Sequence, residues 1–115
     1  MQLREKYKQM LLQILSTINI PIEVWAYGSR VNGNAHDGSD LDLVIRSQNL
    51  EPLPTDKYID LCEKIKESNI PILVELRDWA KLPKSFHQNI YEKHEVLFSN
   101  FLSALNEPIE KYEND

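Results

Sequence analysis

The stretch G-S-R-V-N-G-N-A-H-D-G-S-D-L-D-L-V-I, from Gly28 to Ile45, constrains the fold more than any other part of the chain. It starts where one apolar run, Val24-Trp25-Ala26-Tyr27, stops, and it ends in a second, Leu41 to Ile45. Residues two apart on a β-strand point to the same face. Asp40 and Asp42, placed on a strand, therefore project side by side. Carboxylates that close repel each other unless a cation stands near them. The Gly28-Ser29 turn upstream brings backbone N–H groups and a hydroxyl within reach of a phosphate. Paired acids that need a cation, next to a phosphate cradle, are the equipment of metal-dependent phosphoryl or nucleotidyl transfer.

Around this stretch, helical and strand patterns alternate. Leu3, Tyr7, Met10, Leu11, Ile14, Leu15 and Ile18 recur at helical spacing and predict an amphipathic helix over about 2–18, stopped by Asn19 and Pro21. Residues 22–27 read as a first strand, 30–38 as a polar loop or short helix with turns, and 40–46 as a second strand. The second strand's apolar content predicts burial on both faces except at the carboxylates. Pro52 and Pro54 mark 47–55 as a connector, and Tyr58, Leu61, Cys62 and Ile65 mark a helix over about 56–68. Ile70 to Leu76 reads as a third strand, Trp79 to His94 as helical with a break near Pro83, and Val96 to Leu105 as a short strand or a last helix. The fold class is α/β or α+β, a small mixed sheet flanked by helices, in a single domain over 1–115 with an acidic, frayed tail over about 106–115.

Composition narrows the partners. Thirteen basic residues stand against 18 acidic ones, a net charge of -5, and the basic residues are scattered. A protein that grips long RNA or DNA by its backbone normally carries a basic patch, so such a partner is disfavoured. A nucleotide that brings its own magnesium is compatible with this charge. The one cysteine, Cys62, excludes an internal disulfide and fits a reducing compartment. No apolar stretch is long enough to span a membrane, and the start is too charged for a signal peptide. The expectation is a cytoplasmic protein with no membrane partner.

A third acid stands on the third strand, Glu75 in P-I-L-V-E-L-R-D-W. Alternation puts Ile72, Val74 and Leu76 on one face and Leu73, Glu75 and Arg77 on the other. A carboxylate within an apolar strand is costly unless it is paired or bound to a metal. A salt bridge to Arg77 or Arg46 and a place at a metal are equally good readings of the strand alone. The Asp40/Asp42 pair tips the balance toward the metal.

These residues resemble the signature of the DNA polymerase beta-type nucleotidyltransferase superfamily: a Gly-Ser turn, an Asp-hydrophobic-Asp pair on the next strand, and a later acid. The similarity is nearest to the minimal nucleotidyltransferases, small bacterial and archaeal proteins, and it covers most of the chain. Many minimal members read G-S-R-A-R-G; this chain has Asn32 at the second arginine, which removes one candidate contact to phosphate or to a partner. Many have Asp as the third acid, where this chain has the longer Glu75. The resemblance implies the nucleotidyltransferase fold and a two-metal in-line displacement on two Mg²⁺ ions, for which Mn²⁺ can substitute. It implies Asp40, Asp42 and Glu75 as metal ligands and catalytic residues, with Glu75 also a candidate general base. Gly28, Ser29, Arg30 and Ser39 are implied as the nucleotide and phosphate contacts, although Arg30 reads nearly as well as a surface arginine in a polar loop.

The resemblance also implies a partner. Minimal nucleotidyltransferases commonly pair with a small all-helical HEPN-type protein encoded beside them, and in several pairs act as the antitoxin by moving AMP from ATP to a toxin tyrosine; for this chain ATP or another nucleoside triphosphate is the expected donor. Two rivals remain at this stage. One is a catalytically weak binding module that masks its partner by contact, and the other is an enzyme acting on a small molecule. The apolar segment Val96, Leu97, Phe98, Phe101, Leu102 and Leu105 exceeds what one short helix needs, so self-association or the helical partner is expected to cover part of it. His36 reads as a solvated loop histidine, and His87 and His94 lack companions at zinc-ligand spacing. Cys62 reads as a buried thiol, Trp25 and Trp79 as core or interface anchors, and Lys81 and Lys84 as solvated rather than catalytic.

Overall fold

The two apolar runs that flank the Gly-Ser turn pair with each other. The computed structural model describes residues 1–101, in which the elements follow the order α1 (Glu5–Leu15), β1 (Ile22–Tyr27), α2 (Ser29–Asn32), β2 (Leu41–Ser47), α3 (Thr55–Lys66), β3 (Val74–Asp78), a 3-10 turn (Trp79–Lys81), α4 (Lys84–Glu92) and β4 (Glu95–Ser99). β1 and β2 are antiparallel, in register from Ile22 opposite Ser47 to Tyr27 opposite Asp42. β3 runs parallel to β2, from Leu41 opposite Val74 to Ile45 opposite Asp78, and α3 makes the crossover that a parallel pair needs. β4 closes the other edge, antiparallel to β1, with a register shift between Val24 and Trp25. The sheet order is β3-β2-β1-β4, the mixed sheet with flanking helices that the alternating pattern predicts.

Strand alternation divides the core in two. Ile22, Val24, Ala26, Leu41, Leu43 and Ile45 pack with Leu11 and Leu15 of α1 and Leu61 and Ile65 of α3. On the opposite face Trp25 and Val44 pack with Trp79 and with Ile90 of α4. β2 is therefore covered on both sides, as its apolar content predicts, and only partly covered at Asp42. The second face is an aromatic stack around Arg46. Its guanidinium carbon lies 3.9 Å from the Trp25 ring centre and 4.4 Å from that of Trp79, and the group is 3.5 Å from Glu23 and donates to the Tyr91 hydroxyl. His94 stacks on Trp25 and His87 on Trp79 at 3.8 and 3.9 Å. Both tryptophans are thus core residues, and both histidines extend the aromatic wall.

Several boundaries differ from the sequence reading. α1 starts at Glu5, not near residue 2, because Gln2 is held in a non-helical chain by Arg30: its N–H donates to the Arg30 carbonyl and its carbonyl accepts from the guanidinium. It stops at Leu15, where the Ser16 and Thr17 hydroxyls donate to the carbonyls of Gln13 and Ile14 and compete with the helical ladder. β3 starts at Val74 rather than Ile70: Pro71 has no N–H for a ladder, and pairing with β2 begins at Leu41. It runs on to Asp78, whose buried carboxylate accepts from the N–H groups of Leu53 and Ala80. Cys62 is only partly buried, packed against the larger core. Of the two readings for Val96 to Leu105, the described part forms a strand; Leu102, Leu105 and the tail over 106–115 lie outside the described residues.

Leu43 is fully buried in the middle strand, whereas Leu73 is 58% exposed just before β3. Leu43→Ala is expected to destabilise folding by about 2–5 kcal/mol and Leu73→Ala by less than about 0.5 kcal/mol, read from urea denaturation midpoints.

Candidate active site

The end of β1 shapes the site through the absence of a side chain. Gly28 has φ +82°, a conformation that costs an L side chain dearly. A Cβ built there would also lie 2.6 Å from Oδ2 of Asp42. The register explains the approach. Tyr27 lies opposite Asp42, so the next residue crosses directly over the Asp42 carboxylate before the chain turns into α2.

Asp42 has acids on two sides. Glu75 stands in register beside it on β3, and Asp40 lies two residues back, exposed, one residue ahead of β2. Partial burial pushes the Asp42 carboxyl above the usual carboxylate range, and the charges of Glu75 and Asp40 push it further, against the pull of Arg77. Arg77 forms an ion pair with Glu75 at 2.6 Å and lies against Tyr27. Burial, and then the Asp42 charge, raise the Tyr27 phenol, which keeps it protonated at neutral pH. Among the described residues no group of three or more acids, histidines or cysteines is gathered closely enough to hold a metal alone. Asp40 and Asp42 nevertheless offer oxygen donors of the kind that Mg²⁺ or Mn²⁺ takes, and the penalised Asp42 charge is one a cation would relieve. Glu75 occupies the expected strand position, with Arg77 as its present partner.

The residues expected on the phosphate side have separate situations. Ser29 opens α2, directly after Gly28. Arg30 is not a surface arginine: it is 6% exposed, and its guanidinium donates to the carbonyls of Gln2, Asp37 and Ser39. Its donors are largely taken up in fastening the 36–39 loop to the start of the chain. Ser39 belongs to the same latch, since its hydroxyl accepts from the His36 N–H while its carbonyl accepts from Arg30. His36 shapes that loop too, its Nδ1 accepting from the Gly38 N–H.

Two clefts flank the acids. One, of about 670 Å³, has Asp40, Arg4 and Leu73 on its wall. The other, of about 250 Å³, runs between the Gly28 turn and α4 and includes Tyr27, Asn32 and Lys93. The sequence reading passed over Tyr27 and Lys93 and gave Arg77 only a salt-bridge role. Position would have found two of them: Tyr27 immediately precedes the turn, and Arg77 shares a strand face with Glu75. Nothing in the local sequence marks Lys93, which the tertiary fold brings to the turn.

Residues 9–101 match the family model described as Polymerase beta, Nucleotidyltransferase. The chain is similar to a Haemophilus influenzae protein named Probable protein adenylyltransferase MntA, with 43% identity over 74 residues, which is 64% of this chain and 63% of that protein. The match thus spans less than two thirds of the relative's length. Among solved structures, a toxin–antitoxin crystallised with AMP-PNP aligns with a TM-score of 0.63 at 20% identity, over 84% of this chain and 75% of that one. The toxin–antitoxin MntA–HepT aligns with a TM-score of 0.61 at 15% identity, over 84% and 74%. These two likenesses establish the shared fold.

The raised Asp42 carboxyl gives stability a definite pH dependence. Between the ordinary aspartate value and the raised one, the folded state binds the proton more tightly than the unfolded chain, so stability falls as pH rises through that window. Asp42→Asn removes the penalised charge. Its melting temperature is expected to exceed the wild-type value by a few degrees at neutral pH, with the gap closing as pH falls below the usual carboxylate range. Equal melting temperatures at neutral pH would contradict the penalty.

Proposed function

Because this chain belongs to the polymerase beta-type nucleotidyltransferase family, we propose that it transfers AMP from ATP to a hydroxyl of a protein acceptor. The acceptor would be a tyrosine on a small all-helical HEPN-type toxin encoded beside it, making this chain the antitoxin. The observation that carries the reading is the Asp42 carboxylate, packed against the bare Gly28 turn and in register with Glu75. In this reading the turn that would hold phosphate and the carboxylate that would hold the metal pack against each other. The names of the similar proteins, a probable protein adenylyltransferase and a toxin–antitoxin, support the acceptor class.

In this reading the acceptor oxygen attacks the α-phosphorus of ATP. An O–P bond forms, the α–β phosphoanhydride breaks, and pyrophosphate leaves. Asp40 and Asp42 would hold Mg²⁺ or Mn²⁺. A bound divalent cation supplies charge neutralisation to the leaving group and acidity to the acceptor hydroxyl. Gly28 and Ser29 present backbone N–H groups and a hydroxyl to the phosphates. Glu75 takes the acceptor proton once Arg77 releases it. A second reading, neutralisation of the partner by contact alone, draws on one observation: Glu75 is already held by Arg77.

Co-expression with the neighbouring helical protein separates the two. AMP-modified partner tyrosine, found by mass spectrometry and lost in Asp40→Asn/Asp42→Asn, is the expected result. A stable complex whose partner carries no added AMP would favour contact alone. No complex would remove the partner from the proposal.

A further inference from the structure

A triphosphate is a polyanion, and the site just described is rich in acids. Asp42 lies against the Gly28 turn with Glu75 in register beside it and Asp40 two residues back, so a cation of the protein would add to the divalent ion in holding phosphates there. Three of the arginines nearby are otherwise engaged, and a fourth, Arg4, lines the separate cleft at Asp40. Arg30 is buried and donates to backbone carbonyls, Arg77 is paired with Glu75, and Arg46 is stacked between Trp25 and Trp79. The cleft of about 250 Å³ beside Gly28 contains one basic residue, Lys93. Among the described residues its ammonium makes no ion pair.

The fold explains how Lys93 arrives there. Phe86, Asn89, Ile90 and Lys93 are spaced i, i+3, i+4 and i+7, so they form one face of α4 and its C-cap, and all four line the cleft. Ile90 is the buried member, anchored against Trp25 and Trp79. That anchor fixes the helix with its end toward the Gly28–Asn32 turn. Along this face, Phe86 to Lys93 spans about 10 Å, long enough for an extended nucleotide to lie against.

We propose that Lys93 is the phosphate-holding cation of the nucleotide site, and that α4 forms the wall opposite the Gly-Ser turn. This inference rests on the nucleotidyl-transfer reading above. Lysine suits the task as a point charge on a flexible stem that can follow a departing pyrophosphate.

The test is calorimetric titration with Mg·ATP, independent of any acceptor. Lys93→Gln is expected to weaken binding by about tenfold or more, as loss of a charge-assisted hydrogen bond does. Lys93→Arg should stay within about threefold of wild type, since it keeps the charge. Lys66→Gln, an exposed change at the end of α3, should leave binding unaltered and so controls for net charge. Lys93 is exposed, so circular dichroism and melting temperature should not change. Wild-type affinity in Lys93→Gln, an equal loss in Lys93→Arg, or an equal loss in Lys66→Gln would each overturn the assignment while the transfer reading stands. Failure of the wild-type chain to bind Mg·ATP would overturn both.

Discussion

The close packing of the Asp42 carboxylate under Gly28 is the contact on which the rest of the site depends. It fixes where β1 must end, because a side chain at position 28 would displace the acid. It fixes the β1–β2 register, because Tyr27 must stand opposite Asp42 for the next residue to cross over it. The parallel pairing of β3 then brings Glu75 alongside. The consequence is a carboxylate held partly out of water beside another acid, a costly arrangement that raises its pKa above the usual carboxylate range.

That cost is carried by a sheet well supported on both faces. α1 and α3 cover one face with aliphatic side chains, and α4 and the 3-10 turn cover the other with an aromatic stack around Arg46. The second face does two things together. It anchors the far half of β1 and β2, and through Ile90 it sets the angle at which α4 meets the Gly28 turn. The cleft beside Gly28 therefore lies between a rigid sheet end and a helix held by the same sheet.

The parts legible in the sequence were those governed by local rules. The period of two in Leu41, Leu43 and Ile45, and the helical spacing of Leu61 and Ile65, named the elements and the larger core. The Gly-Ser turn and the two aspartates marked the candidate site, and the fold brings the turn against Asp42. Long-range contacts set what the sequence did not show. Arg30 reads as a loop arginine until its carbonyl partners at Gln2, Asp37 and Ser39 are placed around it. The true start of β3 depends on where β2 offers pairing, which Ile70 to Leu73 cannot reveal by themselves. His87 and His94 carry no local signal of stacking, because the tryptophans they cover are 8 and 69 residues away. No local pattern connects Lys93 with Gly28, 65 residues earlier.

The Arg30 latch gives the chain between the turn and β2 an unusual character. Polar, glycine-bearing and largely exposed, that segment resembles the connections in which homologous chains drift in length. Here it is fastened at residues 37 and 39 by a guanidinium that also grips residue 2. An added residue in this segment would have to break the fastening or shift Asp40 along the strand axis. Length variation should therefore accumulate elsewhere, in the connector between β2 and α3, whose tip Leu50 is exposed and makes no such attachment to the acids.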